Sequence, residues 1–323
     1  MAWRLRLAPE KTNIDFFRLQ WITFGLSAVL MVVSLASILL LGFNFGIDFR
    51  GGTTIRTESS SPVDVGAYRE ALDGLGLGDV TITEVFDPTF DADQHVAQVR
   101  LGAQEGVEAV TPETIQTVEA ALRTVDPSIT FPAVESVGPK VSGELIRTAF
   151  LSIAAACLGI GLYIWLRFEW QYSVGTIAAL IHDVVLVAGV FSLFQMRFDL
   201  TIVAALLTIL GYSVNDTVVV FDRLRENLLK YKSMPLREVM NLSVNETLGR
   251  TLVTGGTTLL ALIPLLVFGG DVIRGFIFAM TLGVFVGTYS SVYVAKNIVL
   301  WIGLPRGDAP KRPSRNEFAD VDA

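Results

Sequence analysis

The stretch GYSVNDTVVVFDRLREN, residues Gly211 to Asn227, begins inside an apolar run, holds Asn215 and Asp216 within it, and leaves through a charged helical segment. A carboxylate at the centre of a membrane-spanning helix costs about 3 kcal/mol on insertion scales, so such a residue is by default a functional candidate. Counted from Leu200 at 1.5 Å per residue, Asp216 lies about 24 Å along the helix, in the half of the bilayer where that helix ends. The competing reading is that the helix stops early and leaves Asp216 at the interface. The apolar run Thr217–Phe221 beyond it argues against an early stop.

The chain around this stretch is built for a membrane. Of 323 residues, 51% are hydrophobic and 18% charged, with a mean hydropathy of +0.53; soluble domains carry about 25% charged residues. The apolar residues come in runs. Leu19–Ile47 contains no charged residue and outlasts a signal-peptide core, so residues 19–42 are expected to be a retained transmembrane helix. Five further runs are read as spans at about 148–166, 173–196, 200–221, 250–269 and 274–296, making a five-helix bundle over 147–304 and six spans in all. Lys and Arg gather on one side, including Arg4, Arg6, Arg167, Arg223, Arg225, Lys296 and Arg306, against Arg197 and Arg274 in the opposite short loops. The positive-inside rule then puts residues 1–18 and the tail 305–323 in the cytoplasm, the tail being Pro-rich, polar and expected to be disordered. Residues 222–246, with leucines at helical spacing among charges and Pro235 dividing them, read as amphipathic helices lying along the inner membrane surface.

Between the first two spans, residues 43–146 are polar and acidic. Phe43–Arg147 holds 17 Asp/Glu against 7 Lys/Arg, a balance of −10 that leaves +3 for the remainder of a chain with net charge −7. The pattern is strand (Thr53–Glu58), helix (Pro62–Leu75), strand (Val80–Phe86), strand (His95–Leu101), helix (Pro112–Val125), strand (Ile129–Val137). Ser61-Pro62 and Thr111-Pro112 read as helix starts, each a capping residue followed by Pro at the first helical position. The order βαββαβ is that of an α+β ferredoxin-like domain. Phe45–Thr53, with the double glycine Gly51-Gly52, and Val137–Glu144 read as the two junctions between domain and membrane.

Other polar residues in the apolar runs are few. Arg250 opens the fifth span, either as a snorkelling anchor or as the counter-charge to Asp216, and Thr254 lies four residues on, on the same helix face. His182 and Asp183 interrupt the third span, either as part of a proton path or as a buried polar pair bonded to neighbouring helices. Being adjacent, they are expected not to face one point. Gly211, Gly255, Gly256, Gly283 and Gly287 suggest close helix approach, Gly283 and Gly287 in a GxxxG spacing. One cysteine, Cys157, leaves no cysteine-based metal site and no intrachain disulfide, and there are only two histidines. No nucleophile–base constellation is readable, so an enzyme is the least favoured class.

Five segments together resemble the SecD/SecF family of protein-export membrane proteins, and its SecF-type half in particular: FNFGIDFRGGT (43–53), VGPKVSGEL (137–145), His-Asp at 182–183, GYSVNDTVVVFDRLREN (211–227) and TLGRTLVTGGTTLLALIPLLVFGG (247–270). The resemblance implies one half of a twelve-span unit of the resistance-nodulation-division architecture, with SecD supplying the other half. It implies placement in the bacterial inner membrane beside the SecYEG channel, often with YajC, with residues 43–146 periplasmic. The proton-motive force would help draw a preprotein outward after SecA has pushed it in. Asp216 and Arg250 would carry proton coupling with Asn215 and Thr254 as neighbours, with no cofactor, metal or nucleic acid involved. Two other function classes stay open: a small-molecule/proton antiporter half-unit, and a structural subunit that stabilises a channel and moves no protons.

Overall fold

In the computed structural model of the chain, the described residues are 12–77, 80–85, 87, 90–91, 93–102 and 111–304. The expected cytoplasmic residues 1–11, the expected disordered tail 305–323 and the strand end at Phe86 lie outside them.

Among the described residues, six helices are long and apolar enough to cross a membrane. They are α1 (Gln20–Leu40), α5 (Pro139–Arg167), α6 (Trp170–Leu193), α7 (Leu200–Lys230), α8 (Leu236–Phe268) and α9 (Asp271–Ser290). The last continues through a π-helical turn, Ser291–Ala295, into α10 (Lys296–Ile302). Helix α6 is central, packing against α1, α5, α7 and α9.

The structure corrects one boundary. Residues 222–246 do not form separate helices on the membrane surface. α7 and α8 run straight on through their charged ends and meet in a short turn at 231–235. Most of the apolar stripe packs on protein instead of lipid: Leu224, Val239, Met240 and Val244 are buried in one core cluster with Leu228 and Leu236 packed against it, while Leu229 stays exposed. Polar bonds lock the two ends: Asn227 Nδ2 donates to Ser243 Oγ at 3.0 Å and to Glu246 Oε2 at 2.7 Å, and Arg223 pairs with Glu246 at 2.7 Å.

Close helix contact runs through small residues, though not all of those singled out above. A methyl group at Gly283 would strike the Ile209 side chain of α7, and one at Gly287 would come within 3.1 Å of Ser213 Cβ. Gly189 of α6 is similarly closed off by Ser34 of α1. At Gly211 and Gly256 a side chain would meet nothing within 4 Å; both sit on exposed helix faces. Gly283→Leu is therefore expected to destabilise the purified chain by about 1–3 kcal/mol through overpacking. Gly211→Leu serves as the control with little effect. Thermal unfolding in detergent followed by circular dichroism reads both, and equal melting temperatures for the two variants would reject the α7–α9 contact.

The external domain has the expected order. Strands β2 (Gly52–Ser59), β3 (Val80–Val85), β4 (His95–Gly102) and β5 (Thr130–Val137) form an antiparallel sheet in the order β3-β4-β2-β5. Helices α3 (Val65–Asp73) and α4 (Pro112–Val125) cover one face, and Tyr68, Leu72, Val118 and Leu122 bury against Ile55, Val99 and Leu101. Thr111 caps α4, accepting from Thr114 N at 3.3 Å. The start of α3 differs from the Ser61-Pro62 expectation: Asp64 caps it, accepting from Ala67 N at 3.0 Å. A carboxylate three residues nearer the apolar face supplies the same bond, and Ser61 stays in the preceding turn, its amide bonded to Ser59 Oγ.

At the root of the domain, β1 (Asn44–Phe45) pairs in parallel with β6 (Arg197–Phe198), which lies between α6 and α7. One helical turn, α2 (Ile47–Arg50), follows. Its Asp48 Oδ2 accepts the backbone N–H of Leu200 at 3.0 Å, at the first residue of α7. Gly51 and Gly52 have φ of +75° and +118°, a region that a Cβ disfavours, so the double glycine is what lets the chain turn from α2 into β2.

Candidate functional site in the membrane helices

Asp216 lies on the inward face of α7, in line with buried Ser213, Thr217 and Val220. It is 2% exposed, and its Oδ2 is buried without a hydrogen-bond partner. Around it, α7 and α9 approach α8 at Gly255, where a Cβ would stand 3.6 Å from Tyr212 Oη and 3.5 Å from Thr288 Oγ1. The Tyr212 hydroxyl is likewise buried.

Arg250 is not in contact with Asp216. Among the described residues no ion pair joins them, and Arg250 is exposed on α8. It lines a groove of about 480 Å³ between α5, α7 and α8, together with Tyr163, Arg167, Asp222, Arg223 and Glu246. The paired geometry expected from depth alone is therefore corrected. The two residues sit at compatible depths, but the α8 position of Arg250 points to the groove and the α7 position of Asp216 to the interior. Asn215, one position from Asp216, is exposed, as a rotation of about 100° per residue requires. Thr254 is half-buried on α8.

His182 and Asp183 do meet, contrary to the expectation from their adjacency. Their side chains bend towards each other, with His182 Nδ1 3.0 Å from Asp183 Oδ1. Asp183 Oδ2 accepts from Ser213 Oγ of α7 at 2.6 Å and from Ser290 Oγ of α9 at 2.9 Å. Asp183, Ser213 and Ser290 are each 0% exposed. One carboxylate thus ties three helices together one turn away from Asp216. The His182 ring stacks on Tyr289 at 6.2 Å between centroids, and Tyr289 Oη reaches α1 by donating to Thr23 O at 2.6 Å. The polar chain therefore runs from α7 across α6 and α9 to α1. The described residues contain no group of three or more His, Cys, Asp or Glu suited to a metal ion.

Residues 117–304 match the family model for the C-terminal part of the protein export membrane proteins SecD/SecF, and residues 36–63 match the SecD/SecF GG motif. This chain belongs to the SecD/SecF family. It is 70% identical to the protein translocase subunit SecF of Cereibacter sphaeroides over the whole length of both chains. It is 62% identical to that of Rhodobacter capsulatus, over 99% of this chain and 98% of the other. A protein translocase subunit SecDF from Brucella abortus is 40% identical across 95% of this chain, which spans 40% of that protein. The solved structure of SecDF from Thermus thermophilus, a translocon-associated membrane protein, matches with a TM-score of 0.79 at 35% identity, over 93% of this chain and 40% of that one. A SecDF structure in a super-membrane-facing form matches with a TM-score of 0.63 at 37% identity, over 92% and 39%. Like these SecD/SecF relatives, the chain is a multi-pass membrane protein, and its GG motif is the left-handed pair Gly51-Gly52.

One buried charge of this SecD/SecF chain escaped the sequence reading. Lys296, counted above among the cations gathered on one side of the membrane, is 1% exposed. Its Nζ lies 4.0 Å from the Phe17 ring centroid, 5.2 Å from Phe16 and 5.4 Å from Tyr293, with no hydrogen-bond partner. Cation–π attraction replaces water around the ammonium. The phenylalanines are held there by residues 12–17, which lie along α8: Asn245 bonds both the N–H and C=O of Ile14 at 2.8 Å, and Asn241 Oδ1 accepts from Phe16 N at 2.9 Å. The available signal was the π-helical turn's polar-aromatic sequence SVYVA just before Lys296.

Proposed function

We propose that this chain is the SecF-type subunit of a preprotein translocase and that, joined to a SecD-type partner, it uses the proton-motive force to complete export across the inner membrane. The carrying observation is Asp216: a carboxyl group inside a membrane helix, 2% exposed, with one oxygen unpartnered and Arg250 set apart on the neighbouring helix. An unpaired charge at that depth is costly. A proton and the Arg250 guanidinium are alternative ways to neutralise it, and exchanging one for the other repacks α7 against α8.

Further support comes from the fold. The exposed stripe of Gly211 and Asn215 on α7 and the exposed apolar face of α8 suit a second set of spans, as in the SecDF relatives of which this chain covers 40%. The TM-scores of 0.79 and 0.63 at nearly equal identity fit a fold that takes more than one arrangement. In this reading both termini are cytoplasmic, the ferredoxin-like domain is periplasmic, and SecYEG, YajC, SecA and the moving preprotein are the working partners.

The test uses membrane vesicles carrying the translocase, the SecD partner and this chain, with a preprotein arrested part-way. A proton gradient imposed after SecA is inhibited is expected to release the preprotein only when this chain is present. Release that ignores the gradient would reduce the chain to a structural subunit. Gradient-driven expulsion of dyes in place of preprotein would favour an antiporter.

A further inference from the structure

Residues 12–17 form a strap across α8 at the end of the bundle away from the external domain. Two asparagines one turn apart, Asn241 and Asn245, hold its backbone. Ile14 N donates to Asn245 Oδ1 at 2.8 Å, and Ile14 O accepts from Asn245 Nδ2 at 2.8 Å and from Asn241 Nδ2 at 2.9 Å. Phe16 N donates to Asn241 Oδ1 at 2.9 Å, and Thr12 Oγ1 to Asn245 O at 3.2 Å. Phe16 and Phe17 are thereby pressed inward, 7% and 3% exposed.

What the two rings cover is a charge. Lys296 lies beneath them, and its Nζ has no hydrogen-bond partner. Asp15, the strap's own acid, accepts instead from Phe17 N at 2.9 Å, and Arg237 of α8 donates to Phe17 O at 3.3 Å. Taking an ammonium out of water costs more than aromatic faces recover, and only the Phe17 ring stands close, at 4.0 Å. The strap is therefore held by hydrogen bonds and two phenylalanines and opposed by the cation beneath it. Lifting the strap rehydrates Lys296 and relieves that cost.

The strap leads directly into α1. After Gln20, the buried residues of α1 are all serines: Ser27, Ser34 and Ser37. Such a face makes hydrogen bonds, as between Ser37 Oγ and Ser192 Oγ at 2.9 Å, but sets no bulky side chain against sliding. At its other end α1 leads to β1, the strand paired with β6 at the root of the external domain. Movement at that root has a continuous path to the strap.

We propose that residues 12–17 are a latch primed by Lys296: docked, they seal the lysine from water, and a shift of α1 lifts them, hydrates the ammonium and opens this end of the bundle. The latch is a property of the chain by itself; its use in export rests on the function proposed above.

The latch is read by deuterium exchange of the backbone amides of residues 12–17 in the purified full-length chain. Lys296→Met keeps the side-chain length and removes the charge, and it is expected to slow exchange about tenfold by stabilising the docked strap. Asn241→Ala with Asn245→Ala is expected to speed it about tenfold, with the exchange of α6 unchanged as the control for folding. Lys296→Leu repeats the reading should the Met variant fail that control. Exchange in the charge-free variant equal to or faster than wild type would overturn the proposal, since the cation would then be inert or would hold the strap down.

Its use in export is read in vesicles containing the SecD-type partner, by labelling lysines with a succinimidyl ester and comparing Lys296 with the exposed Lys230 by mass spectrometry. Imposing the proton gradient is expected to raise the relative labelling of Lys296 about tenfold. Gradient-driven release of preprotein with Lys296 still unlabelled would overturn the latch. A wild-type chain with no gradient-driven release would instead overturn the proposed function, and the exchange measurement would still decide the latch.

Discussion

Asp216→Asn is expected to yield a chain that inserts and keeps its six helices but no longer supports the gradient-driven stage of export. Asn occupies nearly the same volume, and a neutral amide is easier to bury than a charge, so the bundle has no reason to fail. On the proposed function, what would disappear is the exchange between a proton and Arg250 as the neutralising partner. One elementary charge falling through 100 mV releases about 2.3 kcal/mol, a bias of roughly fiftyfold between two arrangements. That bias is available only while position 216 can gain and lose a charge. Preprotein release and proton flux in vesicles should therefore fall together, to the level seen with the gradient collapsed. Wild-type release from the Asn variant, with the gradient as sole drive, would remove Asp216 from the coupling step and leave it a packing residue.

Asp183→Ala is the second large expected effect, and it acts on position as well as stability. The substitution deletes the acceptor for Ser213, Ser290 and His182 together, at sites that are almost fully buried. Two of these bonds, from Ser213 and Ser290, cross between helices, and interhelical hydrogen bonds in membranes average about 0.6 kcal/mol, so losing that pair costs about 1 kcal/mol. Because Ser213 is one turn from Asp216, freeing it also loosens the placement of the carboxyl group. Gradient-driven release should drop even where most of the protein stays folded. Asp183→Asn offers the discriminating comparison. Its amide oxygen still accepts, and the serine hydroxyls can turn to accept from its NH2. If Asp183 positions α7, the Asn variant recovers both melting temperature and release. If it carried protons, the Asn variant would recover the first and not the second. A wild-type melting temperature in the Ala variant would mean the three bonds hold nothing together.

Much of the architecture was legible because it is written in periodicity. Six apolar runs and the alternating strands of the external domain need no tertiary information to be seen. The ends of α7 and α8 were misread because charge marks where lipid stops, whereas a helix stops only where its hydrogen bonds do, and Pro235 placed that break correctly. The candidate site was legible as residue types and depths but not as contacts. Asp216 and Arg250 match in depth, yet which way each helix is rotated depends on the packing of Gly283 on Ile209 and Gly287 on Ser213. His182 and Asp183 looked divergent by backbone angle, and side-chain torsions brought them together. Lys296 was hardest, since a lysine near a helix end ordinarily reaches water, and only the docking of residues 12–17 closes that route.

The bond from Leu200 N–H to Asp48 gives α7 a mechanical role that neither end has alone. The helix is 31 residues long, about 46 Å at 1.5 Å per residue. Asp216 sits partway along this rod, and the first turn of the external domain is fastened to its tip. By the same length, each degree of rotation about the far end would carry that tip through about 0.8 Å. With β1 clamped to β6 beside it, the joint has little slack. A tilt of about five degrees would thus shift the root of the domain by about 4 Å. On the proposed function, the length of this one helix and the stiffness of its bond to Asp48 would set how far the domain moves.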